Sequence, residues 1–233
     1  MHRVFNRCSF DLGGRMYGPY WQNIPAGDRK LITLGGKETV EHDYAALHIR
    51  LLYQEAEKPL LGDPYDLADW PRRQVKIAML IAINARTEIE AVRAIALYVF
   101  GSLYRAEQAK ATALLRAVKA KHADIAHAFG SDAGARLMRK DSDLAEQVVL
   151  DMIRQGVVPL SVHDSYIVPA DQGGILEEAM EREIRRNGPC ESATSQVADL
   201  PASSPEAFSC PRRPRQPRNG PISAARTSRY FGG

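Results

Sequence analysis

Two short β-prone runs, at residues 156–162 and 166–170, flank the polar triplet His163-Asp164-Ser165. Apolar runs on either side of a tight polar turn are typical of an antiparallel hairpin, and this turn carries an acid at its apex. The chain is therefore expected to contain an antiparallel sheet in which one turn presents a carboxylate.

A second hairpin is predicted at residues 29–43, where Gly35-Gly36 separates two further β-prone runs. From Tyr44 to about Glu57 the apolar residues recur at helical spacing. Asp43 therefore falls where a strand ends and a helix begins.

Four more helical segments follow from the apolar periodicity, at residues 72–85, 88–120, 141–155 and 172–186. Pro71 is expected in the first turn of the first of these helices, with Asp69 as its cap, and the third is closed by Gly156. Hairpins and helices together predict an α+β fold.

The last 47 residues differ in composition from the rest of the chain. Residues 187–233 hold seven of the 14 prolines, six arginines, no lysine and three acids, so they carry the whole net charge of +3. Such a composition cannot bury enough apolar area to offset chain entropy, which predicts a disordered tail that tethers nucleic acid non-specifically. The predicted folded domain, residues 1–186, has 25 basic and 25 acidic side chains, so nucleic-acid contact there would depend on local charge placement.

The sequence contains no apolar run near the roughly 18 residues that a membrane helix needs, and its start lacks the pattern of a secretion signal. This predicts a cytoplasmic protein without a membrane partner. Cys8, Cys190 and Cys210 are odd in number and have no C-x-x-C spacing, so neither a disulfide framework nor a zinc site is indicated. Any metal ion would be held by oxygen ligands.

Asp43 and Asp164 are the two acids predicted at strand ends, and they are 121 residues apart. If the fold brings them together, such a pair can hold two divalent ions about 3.5–4 Å apart, as polymerases and many nucleases do. Mg²⁺ (or Mn²⁺) suits one or two carboxylates plus phosphate oxygens. Arg72 and Lys76, four residues apart on one predicted helix face, are both able to bind phosphates.

Three stretches resemble the catalytic motifs of family A DNA polymerases, the polymerase I type. The segments Gly14-Arg15, Gln22-Asn23-Ile24-Pro25 and Asp43-Tyr44-Ala45 resemble the region that leads into and contains the first motif. Arg72 and Lys76 resemble the second motif, on the fingers helix, and Val162-His163-Asp164-Ser165 resembles the third, on the palm hairpin. The His-Asp-Ser form is more similar to the single-subunit, phage-type RNA polymerases.

The resemblance covers residues 14–170 and implies a polymerase palm-like antiparallel sheet with packed helices and a reduced helical fingers region at about residues 60–130. It implies a DNA or RNA template-primer and nucleoside triphosphates as partners. Only 13 residues precede Gly14, so a thumb would come from a partner protein, as expected of a short or truncated polymerase-like chain. The implied site residues are Asp43 and Asp164 for catalysis and metal binding, Arg72, Lys76 and His48 for the nucleotide, and Arg15, Gln22 and His163 for nucleic acid.

Two positions depart from the family pattern. His48 stands where family A DNA polymerases carry a Glu that helps to exclude ribose, and Asn84 where they carry a Tyr that closes on the base. Three functions stay open: a template-directed nucleotidyltransferase, a non-catalytic nucleic-acid-binding remnant of a palm, and a metal-dependent nuclease, which would require further carboxylates. Taken singly, Asp43 and Asp164 are also compatible with turn or cap roles, and His163 with a structural hydrogen bond.

Overall fold

The computed structural model of the chain describes residues 1–186. The tail predicted at residues 187–233 lies outside the described residues. Helices and antiparallel sheets make up the described part, which confirms the predicted α+β class.

Two antiparallel sheets are present in residues 1–186. The first is a hairpin of two strands, and the second has four strands in the order β3-β4-β6-β5. The strand bounds are β1 His2–Phe5, β2 Gly13–Tyr17, β3 Thr33–Leu34, β4 Lys37–Asp43, β5 Leu160–Val162 and β6 Ser165–Pro169.

The larger sheet joins both hairpins that the sequence predicts. Gly35 and Gly36 connect β3 to β4 with φ of 59° and 78°, the left-handed conformation that a two-residue hairpin turn requires. Strand β4 then pairs with β6, from Thr39 opposite Pro169 to Asp43 opposite Ser165. Two segments distant in the sequence thus become neighbouring strands.

Residues 1–186 also contain seven helices, with short 3₁₀ turns at Tyr20–Asn23, Ala123–Ala128 and Ala170–Gln172. One continuous hydrophobic core contains residues of the helices and of the buried strand β6. The helix bounds are α1 Ala26–Arg29, α2 Leu47–Glu55, α3 Arg72–Asn84, α4 Glu88–Phe100, α5 Arg105–Lys121, α6 Ala133–Arg154 and α7 Gly173–Arg186.

Helices α3, α4 and α5, which pack on one another, occupy most of the region near residues 60–130 where the resemblance implies reduced fingers. The expected stretch at 88–120 is two helices, because Gly101 ends α4 in a left-handed conformation with φ of 84°. Asp69 is not the cap of α3: Pro71 holds that position and makes no side-chain capping bond.

Helix α6 begins at Ala133, eight residues before the predicted start at Asp141. The structure also contains the β1–β2 hairpin, which the sequence patterns do not indicate. Arg3 ties this hairpin to α6 through ion pairs of 2.9 Å with Asp143 and with Glu146.

Candidate active site

An open cleft of about 580 Å³ lies at the edge of the sheet where β4 ends and the β5–β6 turn begins. Four of the residues predicted for the site, Gln22, Asp43, His163 and Asp164, line it. The full lining is Gln22, Arg29, Glu41, Asp43, Val162, His163, Asp164 and Ser165.

The two predicted catalytic aspartates are neighbours in this cleft. Asp43 is the last residue of β4 and lies opposite Ser165, the first residue of β6, so Asp164 reaches the same edge of the sheet. The backbone N–H of Tyr44 donates to the carbonyl oxygen of Asp164 over 3.3 Å, which joins the two segments just beyond the strand pairing. The structure therefore places both carboxylates in one cleft, while their roles in metal binding and catalysis stay predictions.

Strand alternation adds a third carboxylate to the cleft. Glu41 precedes Asp43 by two residues and faces the same side of β4, while Val40 and His42 face α7. His42 Nδ1 lies 3.0 Å from Oε1 of Glu177 on that opposite side. The cleft therefore contains Glu41, Asp43 and Asp164.

Asp43 and Asp164 bring to the cleft carboxylate oxygens, the type of donor that Mg²⁺ prefers. Within residues 1–186, no group of three or more His, Cys, Asp or Glu side chains is arranged to hold a metal ion. Mg²⁺ is commonly bound by one or two carboxylates together with water and substrate phosphates. Asp43 and Asp164 can supply the protein's share of such a site.

Glu41 is engaged by an arginine and a serine. Arg29 donates to Oε2 from Nε over 2.9 Å and to Oε1 from Nη2 over 2.8 Å, and Ser165 Oγ donates to Oε1 over 2.7 Å. Burial by itself would raise the pKa of Glu41, but the hydrogen bonds from Arg29 and Ser165 outweigh burial and hold that pKa below its usual value. Glu41 is therefore ionised at neutral pH.

A second group of charged residues lies beside the cleft. Arg15 donates to Oδ2 of Asp141 from Nε over 3.1 Å and from Nη2 over 2.7 Å, and Nε2 of His48 lies 3.8 Å from the same oxygen. The Asp141 side chain is only 2 % exposed. Burial by itself would raise the pKa of Asp141, but His48 and the charge of Arg15 outweigh burial and lower it.

His163 connects the two groups. It lines the cleft and also a cavity of about 10 Å³ whose other walls include Arg15 and Asp141, about the smallest space that can hold one water. Its Nδ1 is buried and has no hydrogen-bond partner within residues 1–186, so the structural hydrogen bond considered for His163 is not formed by that atom. Burial, with the charge of Arg15, lowers the pKa of His163, so the ring is neutral at neutral pH.

Gln22 holds the N-terminal segment against β5. Its Nε2 donates to the carbonyl oxygens of Met16 and Ser161, both over 3.2 Å, and Nε1 of Trp21 also donates to the Ser161 carbonyl. The amide nitrogen of Gln22 is thus used within the fold.

Arg72 and Lys76 lie on α3 and are not among the residues that line the cleft. Arg72 pairs with Asp63, 2.5 Å from Nε to Oδ2, and stacks on the Tyr65 ring at 5.2 Å. The Lys76 side chain is exposed. Their predicted contact with the nucleotide stays a prediction.

The structure adds three charged residues that the sequence patterns did not single out: Arg29, Glu41 and Asp141. Glu41 could have been found from the Glu41-x-Asp43 spacing, because residues two apart share a strand face. Asp141 had no comparable signal, since its partner Arg15 is 126 residues away in the sequence.

Comparison of the chain with known protein families, with curated proteins and with solved structures found no match. The resemblance to family A polymerases therefore rests on the motif residues in the sequence alone. None of the helices in residues 1–186 is both long and apolar enough to cross a membrane.

Proposed function

We propose that this chain is a template-directed nucleotidyltransferase: a primer 3′-hydroxyl attacks the α-phosphate of a nucleoside triphosphate, the nucleotide is added to the primer and pyrophosphate leaves. One observation carries the proposal: Asp43 and Asp164, far apart in the sequence, lie on paired segments of one antiparallel sheet and line a single open cleft. Two neighbouring carboxylates at a cleft are the protein's share of a two-metal phosphoryl-transfer site.

In this proposal Asp43 and Asp164 are the residues that would hold the divalent ions. When bound, Mg²⁺ (or Mn²⁺) would supply activation of the primer hydroxyl and charge stabilisation of the leaving pyrophosphate. The chain itself positions the reactants, and positioning together with electrostatic stabilisation accounts for most of the catalysis in phosphoryl transfer. Arg72, Lys76 and His48 are proposed to contact the nucleotide, and Arg15, Gln22 and His163 the nucleic acid.

Asp141 orients two of these proposed contacts. Its buried carboxylate takes two hydrogen bonds from one edge of Arg15 and lies beside His48. A guanidinium fixed along one edge has a defined direction for its remaining donors. We infer that a DNA or RNA template-primer is the partner and that the reaction takes place in the cytoplasm.

A non-catalytic nucleic-acid-binding protein with a palm-like fold is the second candidate. The observation that favours it is the Arg72–Asp63 ion pair, which occupies a guanidinium proposed to contact the triphosphate. Such a protein would bind a template-primer and would not extend it.

Primer extension separates these functions. Purified full-length protein is incubated with a labelled primer-template, all four nucleoside triphosphates and Mg²⁺ or Mn²⁺, and the products are resolved by length. A nucleotidyltransferase lengthens the primer only when divalent ions are present. Binding without lengthening supports the non-catalytic protein, and shortening of the primer supports a nuclease.

A further inference from the structure

Arg29 is the only lysine or arginine among the residues that line the described cleft. Its Nε and Nη2 both donate to Glu41, and Nη1 donates to the carbonyl oxygen of Ile24 over 3.2 Å. The guanidinium is therefore anchored by the backbone at one nitrogen, while its two-donor edge is held by an acid.

The charges of the cleft are unbalanced without a ligand. Glu41, Asp43 and Asp164 are three carboxylates, and Arg29 is the only cationic side chain that faces them in the lining. A phosphate group would meet a net negative cleft until divalent ions offset the two aspartates. After that, the carboxylate of Glu41 is the remaining competitor for the arginine.

We propose that Arg29 is the phosphate-binding residue of this cleft and that Glu41 is its exchangeable counter-ion, displaced when a phosphate group of the substrate enters. The inference rests on the proposed function, which brings a nucleoside triphosphate to the cleft. It assigns to the cleft a phosphate-binding cation besides Arg72 and Lys76. It also makes phosphate binding depend on the displacement of Glu41.

The geometry suits an exchange of one anion for another. The Nε–Nη2 edge that Glu41 occupies is the edge that binds a carboxylate or a phosphate through two parallel hydrogen bonds. The backbone bond to Ile24 keeps the guanidinium at the cleft when Glu41 leaves it. Ser165 Oγ donates to Oε1 of Glu41 over 2.7 Å, so Glu41 still has one hydrogen-bond donor after it separates from Arg29.

Substitutions of Glu41 and Arg29 should change the affinity for phosphate in opposite directions. Glu41→Gln removes the competing charge and keeps the side-chain shape, so phosphate should bind Arg29 more tightly. Arg29→Gln removes the donor edge, so binding should weaken. In the Arg29→Gln, Glu41→Gln double variant, the increase in phosphate affinity caused by Glu41→Gln should vanish. Glu41 competes with phosphate only when Arg29 is present.

Calorimetric titration of the full chain with inorganic triphosphate, in excess Mg²⁺, measures these affinities. We expect Glu41→Gln to tighten binding about 5- to 20-fold and Arg29→Gln to weaken it at least about tenfold, the size of one charge-assisted interaction. Glu38→Gln is the matched control, because it removes the same charge from an exposed residue of β4 that does not line the cleft. It should bind as the unmodified chain does.

Several outcomes would overturn the proposal. These are absence of binding to the unmodified chain, an unchanged or weaker affinity in Glu41→Gln, or an unchanged affinity in Arg29→Gln. Arg29→Lys guards against a folding defect, since it keeps the charge but cannot form the two-donor contact; it should weaken binding and leave the melting temperature near its original value. If Arg29→Lys binds triphosphate as tightly as the unmodified chain does, Arg29 is likewise excluded as the phosphate contact.

Primer extension by the same preparations separates this inference from the proposed function. If the affinities follow the predicted signs and no variant extends a primer, the phosphate site stands and the polymerase proposal falls. If the unmodified chain extends primers and the affinities do not follow these signs, only the exchange between Glu41 and phosphate is excluded.

Discussion

Asp43 and Ser165 pair directly across β4 and β6, at the last residue of one strand and the first residue of the other. This register carries Asp164, the residue before Ser165, to the end of β4. It also brings the Ser165 hydroxyl within 2.7 Å of Glu41, the other cleft acid on that strand. A slip of one residue would turn Asp43 to the face covered by α7, because side chains alternate along a strand.

Asp141 is expected to stabilise the fold through its buried contacts. Asp141→Asn removes the charge opposite Arg15, whose side chain is 23 % exposed, and should lower the free energy of unfolding by about 1–3 kcal/mol. Urea denaturation at neutral pH measures the change.

Asp143→Asn is the matched control, because it makes the same change two residues away on the same helix. Asp143 is 41 % exposed and pairs with Arg3 and Arg139, so the loss should be no more than about 1 kcal/mol. If both variants lose the same free energy of unfolding, the buried contacts of Asp141 stabilise the fold no more than the exposed contacts of Asp143 do.

His122 should make the stability depend on pH. Its Nδ1 accepts a hydrogen bond from the Tyr53 hydroxyl over 2.9 Å, its Nε2 donates to the Pro64 carbonyl over 2.9 Å, and burial lowers its pKa. The unfolded chain therefore takes up a proton at a higher pH than the folded chain does.

Stability is expected to be unaffected by His122 above about pH 6.5 and to fall as the pH drops below that value, by at most about 1.4 kcal/mol per pH unit for one proton. His163, whose pKa is also lowered by burial, changes stability in the same direction. Denaturation curves between pH 5 and 8 should show a shallower slope for His122→Gln. His127→Gln, at an exposed position, should keep the original slope, and a slope unchanged in His122→Gln would refute the assignment.

Lys76 provides a test of whether α3 contributes to nucleotide binding. Lys76→Ala should weaken binding of a nucleoside triphosphate and change the free energy of unfolding by no more than about 0.5 kcal/mol, because the side chain is exposed. Lys110→Ala, which removes an exposed lysine from α5, is the control. If Lys76→Ala binds the nucleoside triphosphate as tightly as the unmodified chain does, Lys76 does not contact the nucleotide and α3 serves only to pack the core.

Local patterns predicted the parts of the fold that are set locally. The Gly35-Gly36 turn and the His163-Asp164-Ser165 turn each follow from short-range turn chemistry, and both hairpins are present. With Asp43 at a strand end, the sequence could also predict a pair of acids for one site. The two predicted hairpins form one site once β4, which ends at Asp43, pairs with β6, which follows Asp164.

The other features depend on contacts between distant residues. The β1–β2 hairpin is held to α6 by Arg3, whose partner Asp143 is 140 residues away, and Asp141 is buried against Arg15 at a similar separation. A single sequence contains no periodicity that reports such pairs. The break at Gly101 was missed for a different reason, since both flanking segments are helical and only the left-handed glycine separates them.

In the proposed function, Asp43 and Asp164 together bind the divalent ions that nucleotide addition requires. The most direct measurement is the rate of primer extension in Mg²⁺ for Asp43→Asn and for Asp164→Asn, each beside Asp171→Asn, which alters an exposed acid paired with Lys37 at the far end of β6. Both cleft variants should lose extension by several orders of magnitude while the control keeps the original rate. Extension that survives in either cleft variant would contradict the two-carboxylate site.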